Sequence, residues 1–123
     1  MIAIAAAEGA LYRQLADEDA APPNASCLVA TEGGRVTGRV WYLVARSHVE
    51  LLLVQAQEEL LQEGLLRAAL NAAELNGAEE ACCRCQELAP LLHRLGFLQG
   101  TDCWSVSLKE FFSRGCPGHK NKG

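Results

Sequence analysis

The chain has 123 residues, a mass of 13.2 kDa, 50% hydrophobic and 21% charged residues, and a formal net charge of −4. This is enough for one domain with a proper core, and too apolar for a disordered or fibrous protein. An acidic chain without a basic stripe is no general nucleic-acid binder. Its longest apolar run, residues 49–54, is broken by Glu50 and falls far short of the roughly 18 residues a membrane helix needs, so neither nucleic acid nor membrane is expected as a partner.

Residues 1–7 are apolar, lack a basic start and end at Glu8. They read as a first strand rather than a signal peptide. A cytoplasmic location follows as an expectation, with the six cysteines reduced. Residues 9–19 read as a helix with Leu11 and Leu15 on one face and three acids, Asp17, Glu18 and Asp19, at its end. Acids there oppose the helix dipole, so fraying is expected. Pro22-Pro23 breaks the chain.

Strands are expected at 26–31, 36–46 and 49–54, with a hairpin turn at Gly33-Gly34 and another at Ser47-His48. The third is apolar on both faces and suits a central position. A helix over 57–76 carries Leu61, Leu65, Ala68, Ala72 and Leu75 as its apolar stripe and Glu59, Glu63, Arg67, Asn71 and Glu74 as its wet face. Glu63 and Arg67 stand in the favoured i,i+4 order, and Gly77 suits the residue after the helix. A strand over 80–86 places Cys83 and Cys85 on one face and Cys82 on the other. A short helix over 88–95 stops at Gly96. The last strand, 102–108, sets Trp104 and Val106 against Cys103 and Ser105.

Hairpins followed by a strand–helix–strand unit give a mixed α/β sheet with helices on both faces, because the crossover returns a parallel strand to the same sheet. Residues 1–112 form one domain. Residues 113–123, with Arg114, Lys120, Lys122 and no acid, are expected to be a basic, flexible tail.

The order of elements over 26–112 resembles the GNAT superfamily of acetyl-CoA-dependent N-acetyltransferases. The likeness rests on the hairpin, the strand Glu50-Leu51-Leu52-Leu53-Val54, the helix Gly64-Leu65-Leu66-Arg67-Ala68 running to Asn76-Gly77-Ala78, and Leu91-Leu92-His93-Arg94-Leu95-Gly96-Phe97, similar to the family's helix ending in Gly-Phe. It implies a single mixed, mostly antiparallel sheet, here with a truncated N-terminal half that leaves room for one helix. It also implies acetyl-CoA or another acyl-CoA as cofactor and a small-molecule or peptide amine as acceptor. The implied cofactor-binding residues are Val54, Gln55 and Ala56 on the central strand and Gln62, Gly64 and Leu65 at the helix start. A backbone N–H of segment 54–57 would meet the thioester oxygen. Glu50 would be the catalytic base.

Several residues depart from the family's pattern. Its phosphate-gripping loop is here Glu59-Leu60-Leu61-Gln62-Glu63-Gly64, with Glu58 ahead of it. Carboxylates there stabilise the bare helix and repel a pyrophosphate, so weak cofactor binding is expected. Leu92 occupies the place of the family's proton-donating Tyr. The alternative reading is a catalytically degenerate GNAT-fold binding or interaction protein. Cys82, Cys83, Cys85, Cys103, Cys116 and His119 lack the usual spacing of a zinc site, so free thiols and no metal are expected. Uncovered surface and the apolar Trp104, Phe111 and Phe112 suggest a homodimer.

Overall fold

The computed structural model describes residues 1–114; residues 115–123, with Cys116, His119 and most of the expected tail, lie outside the described residues. The elements run β1 (Ile2–Ala6), α1 (Gly9–Asp19), β2 (Ser26–Glu32), β3 (Arg35–Ala45), β4 (His48–Ala56), α2 (Glu59–Leu75), β5 (Glu80–Cys83), α3 (Ala89–Arg94), β6 (Leu98–Gln99), β7 (Trp104–Ser107) and α4 (Leu108–Arg114). They form one sheet in the order β1-β2-β3-β4-β5-β7-β6. Among the described residues only the β4–β5 pair, joined through α2, is parallel.

Two apolar clusters fill the two sides of the sheet. On one side α2, α3 and α4 cover Val40, Tyr42, Val49, Leu51, Ala81, Cys83, Trp104 and Val106. On the other, α1 alone covers Cys27, Val29 and Trp41. The expected alternation along β7 is present: Trp104 and Val106 are buried, while Ser105 is exposed and Cys103 half-buried. Trp104 and Phe111 are core residues and Phe112 packs against them, so these three form no exposed patch. No helix among the described residues is long and apolar enough to cross a membrane.

Turn chemistry matches the residues that form it. Gly33 and Gly34 both adopt positive φ, 62° and 81°, as a two-residue hairpin turn requires. Gly77, at φ 97°, closes α2, with the Ala78 N–H donating to the Ala73 carbonyl and the Gly77 N–H to Glu74. The β3–β4 turn sits one residue earlier than expected, at Arg46-Ser47 between the paired Ala45 and His48.

Two expectations need correction. The buried stripe of α2 is Leu65, Leu66, Ala69, Leu70 and Ala73, whereas Leu75 is 79% exposed. Leucine and alanine cover more than half of this helix, so two stripes compete in the sequence, and the one that buries Leu66 and Leu70 wins. Nor does α1 end loosely at its acids. Ala20 takes the left-handed conformation, the Ala21 N–H donates to the Ala16 carbonyl, and Asp19 is tied to the sheet. Its carboxylate accepts from Arg39 Nε and Nη2, at 2.5 and 2.7 Å, and from Trp41 Nε1 at 2.8 Å. These bonds offset the unfavourable dipole and hold the end of α1 over β3.

Candidate active site

The sheet splits in the middle. Strand β4 pairs with β5 only from His48 to Leu51, opposite Glu80 to Cys83. Beyond Cys83 the chain turns into the 3-10 segment Gln86–Leu88, while β4 runs on to Ala56 paired only with β3. Among the described residues, the edge of residues 52–56 on the β5 side therefore has no strand partner. Register shifts where the split opens: Trp41 faces Leu53 and Tyr42 faces Leu51, leaving Leu52 as the bulged residue. Bulges commonly end pairing and re-aim a strand in this way.

Two side chains already use this edge. Cys85 Sγ donates to the Leu52 carbonyl at 3.2 Å, and Gln62 Nε2 donates to the Ala56 carbonyl at 3.1 Å. Cys83, buried in the core, shares a hydrogen bond with Cys85. That bond, with burial, pushes the Cys83 thiol well above its ordinary value, and it lowers Cys85. Elsewhere burial pushes the Cys27 thiol up to about 11. The five described cysteines are free thiols. Among the described residues no group of three or more His, Cys, Asp or Glu side chains converges as a metal site.

The expected cofactor residues divide into two groups. Val54, Gln55 and Ala56 lie on the open edge, with Val54 turned into the core and Gln55 exposed. Gln62 reaches the same edge through its side chain. Gly64 and Leu65 lie two and three residues further along α2. Leu65 is fully buried, close against Gly38 of β3, and Gly64 lies toward Ile4 of β1.

Glu50 stands on β4 just before the split, on the side of the sheet opposite α2. It is half-buried and accepts a hydrogen bond from Arg84 Nη1 at 2.7 Å. Arg39, by contrast, belongs to Asp19. Leu92 is fully buried, and the neighbouring His93 stacks edge-on against Trp104.

The acidic start of α2 is better compensated than the sequence suggests. Arg94, at the end of α3, donates to Glu63 Oε1 and to Glu59 Oε2, each at 3.2 Å. Glu63 also accepts from Arg67 at 3.0 Å, and this pair, helped by Arg94, holds its carboxyl below the usual range. Glu58 has no ion-pair partner among the described residues. A small pocket of about 190 Å³ opens on the α1 side, between Asp19, Pro22, Trp41, Leu52 and Leu53.

No family model and no curated protein matches the sequence. Solved structures do match. The ribosomal-protein-S18-alanine N-acetyltransferase from Escherichia coli superposes with a TM-score of 0.72 at 13% identity, over 88% of this chain and 94% of that one. A GNAT family acetyltransferase from Elizabethkingia anophelis, with acetyl-CoA bound, gives 0.66 at 12% identity, over 81% and 78%. An acetyltransferase from Bacillus subtilis, in complex with CoA, gives 0.65 at 19% identity, over 82% and 79%. With its mixed seven-stranded sheet, central split and α2 crossover, this chain has the fold of the GNAT acetyltransferases.

Proposed function

We propose that the chain binds an acyl-CoA at the split between β4 and β5 and transfers the acyl group to an amine. The observation that supports this reading best is the unpaired edge of residues 52–56, a row of backbone donors and acceptors held open by the bulge at Leu52. Such an edge suits an extended ligand with amide groups. Val54, Gln55, Ala56 and Gln62 would hold it there, and the first turn of α2, whose Leu61 and Gln62 N–H groups already donate to the Glu58 carbonyl, would offer the N–H groups of Glu59 and Leu60 to the phosphates. The donor set fits the cofactor in part, because Arg94 and Arg67 neutralise two of the three carboxylates at that turn. Solved structures similar to this chain include ones with acetyl-CoA or CoA bound, which supports an acyl-CoA as the ligand.

The acyl-CoA supplies an activated thioester carbonyl. A backbone N–H of segment 54–57 would donate to its oxygen. Glu50 would accept the proton of the incoming ammonium, after parting from Arg84. The side chain at position 92 cannot protonate the departing thiolate, so that proton would have to come from the attacking amine nitrogen, from another group at the split or from water. Leaving-group protonation typically contributes about 10²–10⁴-fold, and turnover is expected to be slow by that order.

A second reading, a GNAT-fold binding protein without transfer, is favoured by the buried Leu92 and by the Glu50–Arg84 bond. Titration calorimetry with acetyl-CoA, paired with thiol release in the presence of mixed amines, separates them. Binding with slow release supports transfer. Binding without release supports the second reading. No binding at millimolar acetyl-CoA would sink the split as an acyl-CoA site.

A further inference from the structure

We infer that the free edge of β1 is a self-pairing surface, through which two copies of this chain join their sheets about a twofold axis centred on Ile4. The inference rests on backbone direction, composition and the neighbouring helix; the paired edge itself lies at the far end of the sheet from the β4–β5 split, and Leu60 alone among the exposed strip residues lies on the helix turn assigned to the phosphates.

Strand β1 ends the sheet, and β2 occupies one of its edges. The Ala7 N–H donates to the Cys27 carbonyl within the β1–β2 register that pairs Ala6 with Leu28 and Ala5 with Val29. In an antiparallel ladder the bonding direction alternates, so Ala3, Ala5 and Ala7 address β2. Ile2, Ile4 and Ala6 turn their N–H and C=O groups the other way. Among the described residues nothing pairs with them.

Natural sheets protect such an edge with charge, proline, a bulge or shortness. The opposite end of this sheet is protected by length alone, since β6 is only Leu98–Gln99. The sequence of β1, Ile-Ala-Ile-Ala-Ala, has none of these devices. Its register with β2 is also unbroken from Ile2 to Ala6.

Side chains alternate with the backbone. Ala7 belongs to the α1-side cluster, so Ile2, Ile4 and Ala6 point to the α2 side. There a Cβ built on Gly64 would stand 3.9 Å from Ile4 Cδ1, and Leu60 lies one turn away on the same helix face. Ile2, Ile4 and Leu60 are 45%, 37% and 81% exposed. This apolar strip flanks the free edge and carries no charge.

The occupant these features fit is a second copy. With Ile4 facing the partner subunit's Ile4, Ile2 faces the partner subunit's Ala6, and every outward N–H on one strand meets an outward C=O on the other. The side chains that meet are all apolar. The strip has three exposed side chains, far fewer than the roughly 20–30 residues a side of a standard interface. The backbone ladder must supply the rest, and the dimer is a weak, concentration-dependent one.

The test is sedimentation velocity on the full chain between about 1 and 500 μM, the window for the micromolar affinity such an interface supports. Amide exchange at Ile4 and Ala6 is read at both ends of the series. Two variants accompany it. Ile4→Lys puts a charge into the strip. Ala6→Pro deletes an outward N–H and leaves the β1–β2 bonds alone. Circular-dichroism melts at low concentration show that each is folded. The wild type is expected to dimerise, with Ile4 and Ala6 amides protected only at high concentration. Each folded variant should weaken association by about tenfold or more. A wild type that stays monomeric with fast exchange at both amides would overturn the inference. So would a dimer indifferent to both variants, and so would protection that does not depend on concentration, which would mean that the chain covers its own edge.

Discussion

Cys85 donates its thiol to the carbonyl of Leu52 across the mouth of the split, where β4 loses β5 as a neighbour. The thiol therefore sits beside the edge assigned to the acyl-CoA. Its pKa is lowered by the hydrogen bond with Cys83, while those of Cys83, Cys82 and Cys27 are raised. The thiolate is the reactive form of cysteine. Brief alkylation with N-ethylmaleimide at neutral pH should modify Cys85 before Cys82, Cys83 or Cys27, as read by peptide mass spectrometry. Acetyl-CoA should slow that modification. Equal labelling of Cys85 with and without acetyl-CoA would argue against the split as its site.

The Asp19 carboxylate, held by Arg39 and Trp41, gives a pH-dependent prediction. The bond to Arg39, with help from Trp41, lowers its pKa below the ordinary 3.8 against the opposing effect of burial. A depressed folded pKa contributes stability above the unfolded value, and loses it as pH falls through the folded value. Asp19→Asn should cost about 1.5–3 kcal/mol at pH 7, the usual range for a charge-assisted bond. The gap between wild type and variant should narrow below pH 3.8 and close in stronger acid. Urea melts across that range would show it; a gap independent of pH would mean that the charge is not what matters.

Local chemistry was legible in the sequence wherever a few adjacent residues decide the outcome. The Gly33-Gly34 turn, the Gly77 stop, the Glu63–Arg67 pair and the two faces of β7 were all read from spacing. The order of elements carried the sheet topology. Illegible were the features that depend on what two distant segments bring together. Arg84 meets Glu50 because β5 lies beside β4 in parallel register. Arg94 meets Glu59 and Glu63 because α3 returns to the side of α2. The bulge at Leu52 has no glycine to mark it.

Arg94 in turn changes what is expected of the acidic start of α2. Glu59 is 63% exposed and close to the proposed phosphate position, so its charge acts through water and its effect is modest. Glu59→Gln should tighten acetyl-CoA binding by about two- to fivefold at low salt, an advantage that fades as ionic strength rises. Arg94→Ala should have the opposite effect, because it uncovers Glu59 and leaves Glu63 to Arg67 alone. Calorimetry at two salt concentrations tests both. If Arg94→Ala binds as well as wild type, the bridging does not shield the site. Gln62 is best left in place, since it holds the Ala56 carbonyl.

Restoring the family's phenol at position 92 should fail as a rescue. Leu92 is fully buried among Leu88, Leu91 and Phe97, and a larger polar side chain must either overpack the core or bury its hydroxyl. Leu92→Tyr should lower stability by about 1–3 kcal/mol. Thiol release should not rise. A folded variant with release enhanced by about tenfold or more would show that the position can face the split after all, and would identify the missing acid as the main limit on transfer.

Gly38 sets how closely α2 approaches the sheet beside the split. It lies in β3 opposite Ala56 at the end of β4, and a Cβ there would stand 2.9 Å from Leu65 Cδ1, 3.0 Å from the Gln55 carbonyl oxygen and 3.1 Å from Ala56 Cβ. The leucine could swing aside, but the backbone oxygen cannot do so without moving the end of β4. Gly38→Ala should therefore cost about 1–3 kcal/mol despite the better strand propensity of alanine, because overpacking outweighs the entropy gained in the unfolded chain. The strain falls on Gln55 and Ala56, two of the residues assigned to the acyl-CoA. Acetyl-CoA affinity should fall together with stability, whereas Leu92→Tyr should lower stability alone. Thermal melts with and without acetyl-CoA on the two variants distinguish these patterns. Equal ligand-induced shifts in Gly38→Ala and wild type would place the binding edge elsewhere than at the end of β4.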